Sequence, residues 1–187
     1  MTNAWDHISR EAAAEHFRYD FRESEEHHKI IVGKFEIGEA SIKDYLNEAI
    51  FFTERNFSEK QFVEFMESQS KAHPKSFEVL EKLRSQDKYI ISVLNNESLE
   101  LNLFRIEKFG LRNYFKNFYS SCFLGVAKPN LEIYRKVLQI TQTPAKRCLL
   151  IDDRKPNVEA AAECGFQILH LPNVDELEEK LAEMKIM

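Results

Sequence analysis

The amino-acid sequence predicts an α/β protein, a doubly wound parallel sheet preceded by a helical segment. Three observations predict it. From about residue 73 onward, short apolar runs alternate with amphipathic helical patterns, as strands joined by helical crossovers do. The run Cys148-Leu149-Leu150-Ile151 has no polar interruption and passes at once into Asp152-Asp153, as a strand buried on both faces would at its carboxyl edge. Residues 1 to about 72 show helical spacing and no convincing strand. A length of 187 residues fits one domain, or a core that carries an insertion.

The elements follow in order. Ser9 is the expected cap of a first helix carrying Ala12, Ala13, Ala14 and Phe17. The charged run from Asp20 to Phe35, with the pair His27-His28, reads as a second helix. Ser41 caps a third, in which Ile42, Tyr45, Leu46, Ala49 and Ile50 fall at helical spacing. Ser58 followed by Gln61 is a capping box for a fourth, with Phe62, Phe65 and Met66 on one face. The helical unit is therefore assigned to 1–72 and the α/β core to 73–187.

In the core, Pro74 starts a helix with Phe77, Leu80 and Leu83 inward. Tyr89 to Leu94 reads as a buried strand ending at Asn95-Asn96, and the next helix turns Leu99, Leu103 and Ile106 inward and stops near Gly110. A short strand is expected over Asn117 to Ser121, and Pro129 opens a helix with Ile133, Tyr134, Val137 and Leu138. After the acidic strand, Pro156 sits in the first turn of a helix that stops near Gly165. Gln167 to Leu171 is the last strand, and Asn173 with Glu176 caps a terminal helix.

Composition narrows the classes. Hydrophobic residues at 43%, including 15 Phe, are enough for a real core. The net charge is −5 and no basic run of five or more occurs, which argues against nucleic acid as a partner. No apolar stretch approaches the roughly 18 residues that cross a bilayer. The charged first twenty residues are unlike a signal peptide. Cys122, Cys148 and Cys164 are odd in number and widely spaced, so reduced thiols in a cytoplasmic setting are expected. His16, His27, His28 and His73 lack a second ligand at metal-binding spacing and read as surface or packing residues.

Three strand ends offer polar groups to one crevice, where open α/β sheets bind ligands. Asn95 and Asn96 supply amide donors, Lys128 a cation, and Asp152-Asp153 an acidic pair. Each alone has a plainer reading, as turn residues, a surface lysine or helix-capping acids. Together they suit a phosphate held against Mg²⁺, which takes oxygen ligands and bridges carboxylate to phosphate.

These residues resemble the haloacid dehalogenase superfamily, in the subfamily with an α-helical cap inserted after the first core strand. Lys128-Pro129 with Glu132-Ile133-Tyr134 is similar to its third motif, and Ile151-Asp152-Asp153-Arg154 with Asn157 to its fourth. The resemblance implies that Lys128 steadies nucleophile and phosphate and that Asp152 and Asp153 hold Mg²⁺. The second motif is altered: Asn95 stands where a hydroxyl is usual, and an amide also donates to phosphate. The implied activity is hydrolysis of a small phosphorylated metabolite through an aspartyl-phosphate.

The family's nucleophile motif, Asp-x-Asp-Gly or a close variant, does not occur in the sequence. The opening Met1-Thr2-Asn3-Ala4-Trp5-Asp6 resembles the loop just downstream of it. The first central strand is therefore expected to be missing, with Met1 an internal methionine and the chain inactive or weak as it stands. The exposed patch left by that strand would favour self-association. A phosphate- or Mg²⁺-binding module, or an interaction scaffold without catalysis, is the alternative. Dehalogenation needs no Mg²⁺, so the acidic pair argues for phosphate. A receiver domain would place its acidic pair before the lysine and lack the helical leader.

Overall fold

The computed structural model describes residues 2, 3 and 5–187. Four helices come first: α1 (His7–Phe17), α2 (Phe21–Glu36), α3 (Ile42–Ala49) and α4 (Glu59–Gln69). Each begins where a side-chain oxygen takes a backbone N–H that has no partner within the helix. Asp6 accepts from Ser9 N and Asp20 from Glu23 N, while Ser41 with Asp44 and Ser58 with Gln61 form reciprocal boxes. The first of these corrects an expectation. Asp6, not Ser9, caps α1, because a carboxylate at the N-terminus gains from the helix dipole as well as from the hydrogen bond.

These helices close over one aromatic core of Trp5, Phe35, Tyr45, Leu46, Ile50, Phe62 and Met66. Leu101, from a later helix, inserts into the same core. Phe17 packs on Phe57 at 4.2 Å between ring centroids, so the phenylalanines of this part serve packing.

The second part alternates α5 (Pro74–Ser85), β1 (Ser92–Val93), α6 (Leu99–Lys108), β2 (Asn117–Phe118), α7 (Ser121–Leu124) and α8 (Leu131–Thr141). It ends with β3 (Leu149–Asp152), α9 (Lys155–Glu163), β4 (Gln167–His170) and α10 (Leu177–Glu183). β1 pairs with β2 in parallel, Ser92 opposite Asn117, and β3 pairs with β4 in parallel, Leu149 opposite Gln167. Among the described residues these are two separate two-stranded sheets, with no strand between β1 and β3. This is the interval in which the resemblance puts a further central strand. The reading of Met1 concerns a residue outside those described.

The split explains two corrections. The predicted strand Tyr89–Leu94 is paired only at Ser92–Val93; Tyr89 and Ile90 are 47% and 80% exposed. Ile151, expected to be buried on both faces, is 37% exposed. Among the described residues, β1 and β3 each have a strand neighbour on one side only. Ile91, Val93 and Asn95 give their carbonyls to the β2 segment, and Cys148 and Asp152 give theirs to the β4 segment. By the alternation of a parallel ladder, Leu94 and Ile151 turn their backbone groups the other way, toward the interval.

A third correction concerns α6. Leu99 and Leu103 face outward, at 42% and 46% exposed, while Leu101 and Ile106 are buried. The helix is turned this way because it serves two cores: Leu101 enters the α1–α4 core, and Ile106 packs with Val93 and Phe115. Glu100 also accepts from Ile42 N at 3.0 Å, tying α3 to the core. Pro129 does not open α8: Asn130 caps it, and the helix begins at Leu131. No helix among the described residues is long and apolar enough to cross a membrane.

Candidate active site

The carboxyl end of β1 runs into Asn95-Asn96, the carboxyl end of β3 into Asp152-Asp153, and the turn before α8 carries Lys128 between them. Lys128 Nζ donates to Asp152 Oδ2 at 2.5 Å and to the Leu94 carbonyl at 2.8 Å. The pair is buried, with side-chain exposures of 8% and 6%. Asn96 fixes the lysine from its main chain: Oδ1 accepts from Lys128 N at 2.8 Å, and Nδ2 donates to Lys128 O at 2.9 Å.

Asp152 is held in turn by the start of α9. Its Oδ1 accepts from Arg154 N and from Asn157 Nδ2, both at 2.9 Å. Buried Asn157 receives the Tyr134 hydroxyl on its carbonyl at 2.8 Å. Burial pushes the Tyr134 phenol above its ordinary value, so it stays a donor. Three donors, Lys128 Nζ, Arg154 N and Asn157 Nδ2, fix the buried carboxylate in direction.

Asp153 is different. Its side chain is exposed and its carbonyl is within 3.0 Å of His170 Nε2. Adjacent exposed and buried carboxylates give an all-oxygen donor set, which fits a hard divalent cation such as Mg²⁺. Two carboxylates would fill part of its shell, leaving positions for water and phosphate oxygens. Among the described residues no group of three or more His, Cys, Asp or Glu converges to hold a metal alone.

Asn95 turns toward α6. Its Nδ2 donates to Asn102 Oδ1 at 3.3 Å, while its own Oδ1 is buried without a partner. Of the five residues picked from sequence, Lys128, Asn96 and Asp152 thus form one bonded unit, Asp153 stands beside it, and Asn95 faces away from the lysine.

Sequence reasoning missed the residues that hold the Asn95–Ser98 loop. Ser121 N donates to Asn95 O at 2.9 Å, and Glu97 N donates to Ser121 Oγ at 2.9 Å. Buried Glu97 pairs with Arg105, whose guanidinium also bonds Thr2. Burial pushes the Glu97 carboxyl up, and the Arg105 charge opposes it. An acid directly after two asparagines was the available signal; its partner eight residues on lies across the first turns of α6.

The chain matches the family of haloacid dehalogenase-like hydrolases over residues 1–165, and it belongs to that family. It is 31% identical to flavin mononucleotide hydrolase 1 of Arabidopsis thaliana over 109 residues, 58% of this chain and 44% of that protein. It is 39% identical to the sesquiterpene phosphatase astK of Aspergillus oryzae over 57 residues, 30% of this chain and 29% of that protein. The matched stretches thus span less than half the length of either relative. The fold is similar to that of the HAD family enzyme bt-2542 of Bacteroides thetaiotaomicron, with a TM-score of 0.78 at 20% identity, covering 91% of this chain and 87% of the other. That enzyme also has a structure in complex with magnesium and inorganic phosphate.

Proposed function

We propose that the chain is a Mg²⁺-dependent phosphohydrolase fold acting on a small phosphorylated metabolite, with residues 1–72 as a helical cap over a core of 73–187. The observation that carries this reading is the unit of Lys128, Asn96 and Asp152 between two sheet edges, with the exposed Asp153 beside it. Lys128 would place an ammonium against a phosphate oxygen, in a position fixed by Asn96, where charge grows during transfer. Asn95 is the second amide at this edge, and a rotation away from Asn102 would bring its donor to a phosphate. Asp152 and Asp153 would hold Mg²⁺, which when bound neutralises phosphate oxygens and polarises the bond to be broken. The named activities of the two curated relatives, and the magnesium and phosphate complex of the Bacteroides enzyme, support the same class. Three free thiols suit a reducing compartment, and we assign the protein to the cytoplasm.

A second reading has its own support. Among the described residues Asp152 is the one carboxylate in ion-pair contact with Lys128, and it is the residue assigned to the metal. An aspartyl-phosphate needs a different carboxylate there. Binding without turnover is therefore the alternative. Calorimetry with inorganic phosphate, with and without Mg²⁺, tests the site, and phosphate release from p-nitrophenyl phosphate tests turnover. Mg²⁺-dependent binding that is lost in Lys128→Ala supports the site; binding with no release above background selects the binding module. Absence of phosphate binding in the presence of Mg²⁺ refutes both.

A further inference from the structure

Glu36 ends α2 and is half-buried where the helical part meets the core. Its main chain is pinned there: Ser121 Oγ donates to the Glu36 carbonyl at 2.5 Å while accepting from Glu97 N. Two residues on, Gly38 adopts φ +79°, and a Cβ there would stand 2.7 Å from the Cys122 carbonyl, so only glycine permits this approach. The same Ser121 orders the loop carrying Asn96. Glu36 is thus in register with the Lys128 site.

The Glu36 carboxylate has no hydrogen bond or ion pair among the described residues, and burial pushes its carboxyl above the usual carboxylate range. The cations whose fields act on it are Arg154, Arg10 and Lys128, two of them at the site. Folding does not account for this placement. An acid in the last turn of a helix opposes the dipole, and a half-buried charge without a partner is disfavoured again. A destabilising charge on a segment tied through Ser121 to the loop of a ligand site is the pattern expected where binding sets the residue.

We propose that Glu36 selects the leaving group: the site takes phosphomonoesters of small alcohols that carry an ammonium or hydroxyl donor, and rejects those that carry a carboxylate. This rests on the phosphate-site reading above. With phosphate at Lys128 and the acidic pair, the alcohol extends toward α2, where Glu36 accepts a donor and repels an anion.

The test is competition against inorganic phosphate in Mg²⁺ with two probes of similar size, O-phosphoethanolamine and 2-phosphoglycolate. The first should bind roughly fivefold or more tightly than the second. Glu36→Gln should bring the ratio near one, leave inorganic phosphate affinity within about twofold, and raise Tm by about 1–3 °C through relief of the dipole. Glu36→Lys should invert the preference. An unchanged ratio in both variants, or a wild-type preference for phosphoglycolate, with phosphate still bound through Lys128, overturns the assignment of Glu36 alone. No phosphate binding by the wild type overturns the phosphate site and this proposal together.

Discussion

Replacing Lys128 by methionine keeps the length of the side chain and removes its charge. The structure sets the magnitude. Asp152 would remain 6% exposed, with Oδ2 stripped of its partner and Oδ1 still held by Arg154 N and Asn157 Nδ2. The Leu94 carbonyl would lose its donor as well. Breaking a buried ion pair from one side costs about 3–5 kcal/mol, and the two surviving hydrogen bonds place this case near the lower end, about 3 kcal/mol. Asp152→Asn leaves Lys128 buried against one carbonyl and should cost a similar amount. The double variant removes both charges and should be no worse than either single one, for a coupling energy of at least about 3 kcal/mol. Urea unfolding at neutral pH in EDTA measures the cycle. Adding Mg²⁺ should shrink the Lys128→Met loss, since the ion supplies positive charge to the orphaned carboxylate. Single losses that simply add, with coupling under about 0.5 kcal/mol, would refute the pair as a structural unit.

Other outcomes follow from the same geometry. Asp153→Asn should change stability by less than about 0.5 kcal/mol, because the side chain is exposed, yet weaken Mg²⁺ binding at least roughly tenfold by calorimetry. Gly38→Ala should cost about 2 kcal/mol and lower Tm by about 4–8 °C. Gly33→Ala, inside α2 with open space around its Cβ, should instead gain about 0.5–1 kcal/mol. Burial depresses His28 from 6.5 to about 4, so the fold keeps it neutral while the unfolded chain protonates it. Its contribution is complete above pH 6.5 and is lost as pH falls from 6.5 toward 4. The full shift would be worth about 3 kcal/mol; with the residue only partly buried, about 1–2 kcal/mol remains. Urea midpoints at pH 7 and 4.5 should show that loss in the wild type and less of it in His28→Gln.

What the sequence made legible is what short-range physics decides. Ser41 as a cap and the box of Ser58 with Gln61 could be found because a cap acts within four residues, and the structure adds Asp44 as the partner of Ser41. Lys128 and Asp152-Asp153 stood out because a cation and an acidic pair after apolar runs are local patterns. The grip of Asn96 on Lys128 spans 32 residues, that of Ser121 on Glu36 spans 85, and no spacing encodes either. Leu99 and Leu103 were misplaced because periodicity gives the stripe of a helix and not which of two cores it serves. Tyr89, Ile90 and Ile151 were misplaced for a related reason. An apolar run reports an environment with neighbours on both sides, whereas the described residues pair β1 and β3 on one side each. Between those strands the Lys128 ammonium bonds Leu94 on one edge and Asp152 on the other. The group read as the phosphate cation is therefore also a tie between the half-sheets. On the proposed reading, a phosphate drawing on that ammonium would share it with Leu94 and Asp152, so binding at the site and cohesion of the sheet would both rest on one nitrogen atom.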